Sequence, residues 1–151
     1  LARLQHGLAH WAVGYCVAGL VISFYALYVE HRFEEDPNYI ASCDLGAIVS
    51  CTRPLSSAFS RGFGVVERLL GEDSVFNQKN ALYGIAIFAL FSVLASRASF
   101  TAANACVVIS VFMNIGSLYL FIVLVYLETI CLVCYATYAV NGALLVNSLR
   151  R

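Results

Sequence analysis

The stretch TAANACVVISVFMNIGSLYLFIVLVYLETICLVCYATYAV, from Thr101 to Val140, decides how the chain is read. Glu128 is its only acidic or basic residue. The charge-free run before Glu128 extends from Ala98 to Leu127, and the run after it from Thr129 to Leu149. Crossing a hydrocarbon core takes about 20 apolar residues, with a range of about 17–25. Each run is therefore long enough to span a bilayer, and Glu128 marks the corner between them. At the head of the second run stand Cys131 and Cys134, a C-x-x-C dithiol at a place where water is scarce.

Two further charge-free runs lie upstream, Leu4 to Val29 and Asn80 to Ser96, the second at the short end of the spanning range. Apolar residues make up 61% of the 151 residues, against roughly 45–50% in soluble domains. Mean hydropathy is +0.80. A secretory leader is a rival reading of the first run, but that run exceeds the usual apolar region of roughly 7–15 residues. The expectation is an all-α membrane protein, a four-transmembrane-helix bundle forming one integral domain over residues 1–151. Spans fall at about 8–30, 80–97, 100–127 and 129–149, with a loop or cap region at about 31–79. Net charge is zero and no basic stripe is present, which argues against nucleic acid as a partner.

The flanking charges set an orientation. Arg3, Arg97, Arg150 and Arg151 share one side with no acid. All nine acids, together with five basic residues, fall on the other. Basic residues near short connections dominate topology, so both termini are expected in the cytosol and the loop on the opposite side.

Six cysteines divide by position. Cys16 and Cys106 lie inside spans and read as small apolar packing residues. Cys43 and Cys51, in SCDLGAIVSC, sit in the loop, where the compartment permits disulfides. Taken alone, that pair reads equally as a staple. Cys131 and Cys134 are three apart, and on a regular helix Cβ atoms at that spacing are about 5–6 Å apart. A disulfide wants about 3.5–4.5 Å, so the pair closes only where the helix is adjustable, such as its first turn. Thr129 is a plausible N-cap. The helix N-terminus there favours an anion, making thiolates better nucleophiles. Zinc needs two more ligands, and His6, His10 and His31 are poorly placed to supply them. Two dithiols on one side of the membrane suggest an exchange relay through a mixed disulfide.

Tyr138 follows Cys134 by four residues, on the same helical face and about 6 Å deeper. Asn80 opens the second span, where it reads either as a cap or as an amide facing the bundle. In the second case Asn80 and Tyr138 offer donors to a small molecule with two carbonyl-type oxygens. Small residues (Gly14, Gly19, Gly84, Gly116) permit close helix contact. Aromatic Tyr83, Phe88, Phe91, Phe112, Tyr119 and Phe121 read as packing, lipid-facing or pocket-lining residues. In FSRGFGVVERLLGED, Phe59 to Asp73, apolar spacing predicts a short amphipathic helix with Ser60 as cap and Gly71 as stop.

Together CDLGAIVSC, SRGFG, NQKN and CLVCYATYAVN, in this order and spacing, resemble the vitamin K epoxide reductase family of the animal type. The resemblance implies a four-helix bundle in the endoplasmic reticulum membrane, with the redox loop lumenal and the termini cytosolic. It implies reduction of vitamin K epoxide to the quinone and of the quinone to the hydroquinone, with inhibition by warfarin-type compounds. No tightly bound cofactor or metal is implied; vitamin K is the substrate. Cys131 and Cys134 become the active pair, with Cys134 the thiolate facing substrate. Cys51 would attack Cys131, and Cys43 would exchange with a lumenal thioredoxin-like donor. Asn80 and Tyr138 match positions that bind the quinone oxygens, Ser57 a polar loop position, and Phe59 and Tyr83 aromatic pocket walls. Leu55 and Ile87 depart from the family, where aromatic residues are expected, and would reshape the pocket. One alternative keeps the wiring and reverses its direction, generating protein disulfides at the expense of a quinone. A structural tetraspan protein with a stapled loop is the other; it leaves the C-x-x-C unexplained.

Overall fold

The computed structural model describes residues 2–97 and 99–151, with side chains described from residue 7 onward. Arg3 and His6, used above for orientation and ligand geometry, lie outside the described side chains. Four main helices carry the fold: α1 (Ala2–Glu35), α4 (Asn80–Ala95), α5 (Phe100–Tyr126) and α6 (Leu132–Leu149). Two short ones, α2 (Thr52–Leu55) and α3 (Val66–Leu70), lie in the segment joining α1 to α4. Among the described residues there is no strand, only the isolated bridges Val49–Ile130 and Arg61–Lys79. The all-helical expectation holds.

The four main helices form a square in which each packs on its chain neighbours and α6 closes against α1. Three segments are long and apolar enough to cross a membrane: Gly7–Glu35, Phe100–Tyr126 and Leu132–Leu149. The fourth, α4, has 16 residues and spans about 24 Å at 1.5 Å per residue, short of a hydrocarbon core of about 30 Å. Apolar side chains on the outside of the bundle, such as Val21, Phe24, Phe112 and Ile122, are more than half exposed. A lipid environment suits them, since water does not.

Close approach of α1 to α4 rests on two of the expected small residues. A Cβ on Gly19 would lie 2.5 Å from the Phe88 ring, and one on Gly84 would lie 2.6 Å from Ser23 Oγ. Gly14 and Gly116 border open space and have no such role. Two buried clusters result. One, distant from the loop, gathers Cys16, Phe88, Phe91, Cys106 and Leu144. The other, under the loop, gathers Val29, Ala41, Cys51, Leu124 and Cys131.

Two local expectations are corrected. The short helix expected between Ser60 and Gly71 forms only in its second half: α3 ends at Gly71 as expected, but two 3-10 turns, Ala58–Ser60 and Gly62–Gly64, take the place of its start. Gly62, Phe63 and Gly64 all adopt positive φ, which a continuous helix forbids. Thr129 is not the N-cap of α6. Its hydroxyl donates to the Ile48 carbonyl at 3.0 Å, tying the α5–α6 corner to the loop, and the helix starts three residues later with Cys131 as cap. That corner also needs positive φ at Glu128.

Candidate active site

The loop is pinned over one end of the bundle by backbone pairing. Ile130 N–H donates to Ile48 and Ser50 N–H donates to Ile130, at 2.8 and 3.0 Å. Asp44 organises the turn that holds the loop cysteines. Its carboxylate accepts the N–H groups of Cys51 and of Thr52, the latter at 3.0 Å. Burial works to raise the Asp44 carboxyl, but hydrogen bonds from Thr52, Cys51 and Ser50 outweigh it and hold the group below its usual range. Cys43 and Cys51 are joined as a disulfide. The only cluster of metal-type donors among the described residues is Cys43, Asp44 and Cys51. The disulfide and the backbone N–H groups already occupy those atoms.

Beneath the loop the extended backbone at Cys131 gives way to α6. Cys131 Sγ accepts the N–H of Cys134 at 3.2 Å, so a thiol serves as the helix cap. Cys51 belongs to the same buried cluster as Cys131, and Cys134 packs against it. The Cys131 thiol is held below the usual cysteine range. A hydrogen bond from the Cys134 side chain is the largest cause; burial opposes it, and the N–H groups of Cys134 and Val133 reinforce it. Cys131 and Cys134 are both free thiols.

Cys134 opens onto a cavity of about 410 Å³ between the four helices. Tyr138 lines it one turn deeper, and among the described residues no group hydrogen-bonds to the Tyr138 hydroxyl. Asn80 lines the opposite wall. Its side-chain oxygen accepts Phe63 N–H at 3.0 Å and its amide donates to Phe59 O at 2.7 Å. An Asn amide has two N–H bonds, so one remains for a ligand. Asn80 is thus not the cap of α4, whose N-cap is Lys79 without a side-chain bond; its amide ties down the loop and lines the cavity. Phe59, Tyr83, Leu55, Ser57 and Ile87 all border the same space. The Tyr83 hydroxyl is engaged with the Phe76 carbonyl, and its ring lies 5.7 Å from that of Phe63.

The strained turn at Phe63 forms part of this wall. Tyr119 Oη donates to Phe63 O at 2.8 Å while Asn80 accepts its N–H, fixing a positive-φ residue from two helices. Side chains at the flanking glycines are excluded: a Cβ on Gly64 would meet Phe59 at 2.6 Å.

Sequence reasoning missed Glu30, Ser117 and Asn141, which also line the cavity. Asn141 donates to Ser117 Oγ at 2.8 Å, bridging α6 and α5. The one available signal was polarity at membrane depth. Glu30 reads in the sequence only as the first charge past a span.

Fold and site define a helical membrane oxidoreductase with a dithiol at the mouth of an apolar cavity. The chain belongs to the vitamin K epoxide reductase family, whose model matches residues 10–149. It is 41% identical over 137 residues to vitamin K epoxide reductase complex subunit 1 of Mus musculus, covering 90% of this chain and 85% of that protein. Identity to the Rattus norvegicus protein of the same name is 38% over the same shares.

Proposed function

We propose that this protein reduces vitamin K epoxide to the quinone, and the quinone to the hydroquinone, through Cys131 and Cys134, with Cys43 and Cys51 recharging that pair. The observation that carries this reading is the graded series of sulfurs. Cys43 is partly exposed in the loop, Cys51 and Cys131 are fully buried in one cluster, and Cys134 faces the cavity. Electrons delivered to Cys43 by a thioredoxin-like protein thus have a short route to a lipid-soluble substrate. A disulfide in the loop pair beside free thiols in the inner pair supports this direction of transfer, from Cys43 and Cys51 to Cys131 and Cys134.

In the cycle, the Cys131 thiolate takes the proton of Cys134, and the Cys134 thiolate attacks the substrate ring. Asn80 and Tyr138 donate to the ring oxygens as charge develops there. Cys131 then attacks Cys134 Sγ, the carbon–sulfur bond breaks, and product leaves with a Cys131–Cys134 disulfide behind it. Attack by Cys51 on Cys131 and exchange at Cys43 restore the dithiol. Leu55 and Ile87 widen the cavity where aromatic side chains would fill it, altering the fit of substrate and of warfarin-type inhibitors. We place α4 across the membrane as a fourth span, thinning the bilayer locally. The location is the endoplasmic reticulum membrane, with the loop lumenal and the termini cytosolic.

The test is turnover of vitamin K epoxide by purified, lipid-supplemented protein with a small dithiol, wild type against Cys134→Ala. Product from wild type alone supports the reading. Equal rates in both remove Cys134 from the chemistry, and a folded but inactive wild type favours the reverse reaction, disulfide formation driven by a quinone.

A further inference from the structure

Glu30 is 4% exposed, yet it is an acid on the last turns of α1. Both of its oxygens are buried without a hydrogen-bond partner among the described residues. It borders the same cavity as Cys134, Asn80 and Tyr138. The neighbouring cations do not neutralise it through contact: Lys79 and Arg61 both close on Glu34, one turn further on, Lys79 at 2.7 Å. An ionised carboxylate buried without partners is very costly, and such groups take the neutral form instead. A neutral carboxyl has an O–H to donate, and the cavity is the direction left open to it.

We propose that Glu30 is the catalytic acid of this site, delivering a proton to the substrate oxygen as the Cys134 thiolate attacks. This rests on the proposed reduction of the epoxide. As the carbon–sulfur bond forms, the ring carbon–oxygen bond breaks and the oxygen takes the Glu30 proton. Cys131, by then protonated by Cys134, attacks Cys134 Sγ and passes its proton to the Glu30 carboxylate. The electron pair of the breaking carbon–sulfur bond remains with the ring and expels the hydroxyl, which leaves as water with a second proton from solvent. The dithiol loses two electrons, the epoxide gains them, and Glu30 ends as it began. A substrate lacking a reducible oxygen next to the attacked carbon has no use for this residue.

Charged and titratable groups facing Glu30 are Glu34 on its own helix, Lys79 and Arg61 from the connecting segment, and Cys134 on α6. Their presence makes a Gln variant the cleanest probe, since it keeps shape and N–H donation but has no transferable proton. In the Glu30→Gln protein, kcat for epoxide should fall by about a hundredfold or more, the usual scale of general acid catalysis, with KM nearly unchanged. The decline of wild-type rate as pH rises through ionisation of this acid should vanish in Glu30→Gln and persist, shifted, in Glu30→Asp. Independently of activity, infrared difference spectra should show a protonated-carboxyl band in wild type that Glu30→Gln lacks. Equal kcat in wild type and Glu30→Gln overturns the proposal while leaving the proposed function standing, as does absence of the infrared band. No turnover by folded wild type overturns the proposed function, and this role with it.

Discussion

Two pairs of cysteines lie in the main helices or at a helix start, and their surroundings could hardly differ more. Cys16 and Cys106 are fully buried beside Phe88, Phe91 and Leu144, and among the described residues no donor hydrogen-bonds to either sulfur. Cys131 is buried to the same degree, yet it caps a helix and accepts a backbone N–H, while Cys134 borders a cavity. Burial alone therefore does not distinguish a packing thiol from one proposed to react. What distinguishes them is the supply of N–H groups at a helix start, which compensates a thiolate for lost water.

The sharpest way to break the comparison is to remove one sulfur from each region. Cys134→Ala should lower epoxide turnover at least about a thousandfold, because the nucleophile is lost rather than weakened. Cys16→Ala should leave turnover intact and cost on the order of 1 kcal/mol in thermal unfolding of the lipid-supplemented protein, through a small cavity. Activity assays and melting curves on both variants decide the matter; a catalytic defect in Cys16→Ala would contradict the packing role.

Removing one donor from the reactive side should have a smaller effect. Tyr138→Phe, which keeps the ring, should reduce kcat by about a hundredfold if its hydroxyl stabilises developing negative charge. Asn80→Ala should do more than that, since the Phe63 N–H and the Phe59 carbonyl lose their partner as well. Limited proteolysis of the loop would separate the two effects: Asn80→Ala should be cut faster than wild type, and Tyr138→Phe should not.

On the inert side, Gly19→Val forces a side chain into the Phe88 ring and should destabilise by about 1–3 kcal/mol, read as a lower midpoint of thermal unfolding. Phe88 packs the far cluster but also borders the cavity, so turnover per folded molecule should fall as well, by less than in Tyr138→Phe.

The smallest effect belongs to Asp44 and concerns pH. Its folded carboxyl titrates below the ordinary value of about 3.9, so it stabilises the loop fully above that value. The contribution is lost as pH falls through the lower, folded value. Asp44→Asn should be less stable than wild type near neutrality, and the gap should close on acidification. Melting curves from neutral to acidic pH would show it; a constant gap would mean that the charge is immaterial.

Much of this was legible in the residues themselves. Charge-free runs located all four main helices, because a lipid-facing helix leaves no room for ionised side chains, and three of them reach spanning length. The C-x-x-C with Tyr138 one turn on was legible because helical periodicity places i and i+4 together. Helix starts were read less well. Thr129 has the chemistry of a cap, but a contact from Ile48, distant in sequence, claimed its hydroxyl. The amphipathic pattern at 59–73 was real in composition and failed in backbone over its first half, since the glycines around Phe63 take positive φ to let the turn meet Asn80 and Tyr119.

The sequence by itself determined the apolar helices, the pairing of thiols by position and the family, because these depend on composition and spacing along one chain. Only the tertiary structure decided which polar groups share the cavity. Glu30 and Cys134, more than a hundred residues apart in the chain, line one cavity, and Asn80 is divided between the loop and the pocket. Such neighbourhoods arise from packing four helices against one another, and local periodicity carries no record of them.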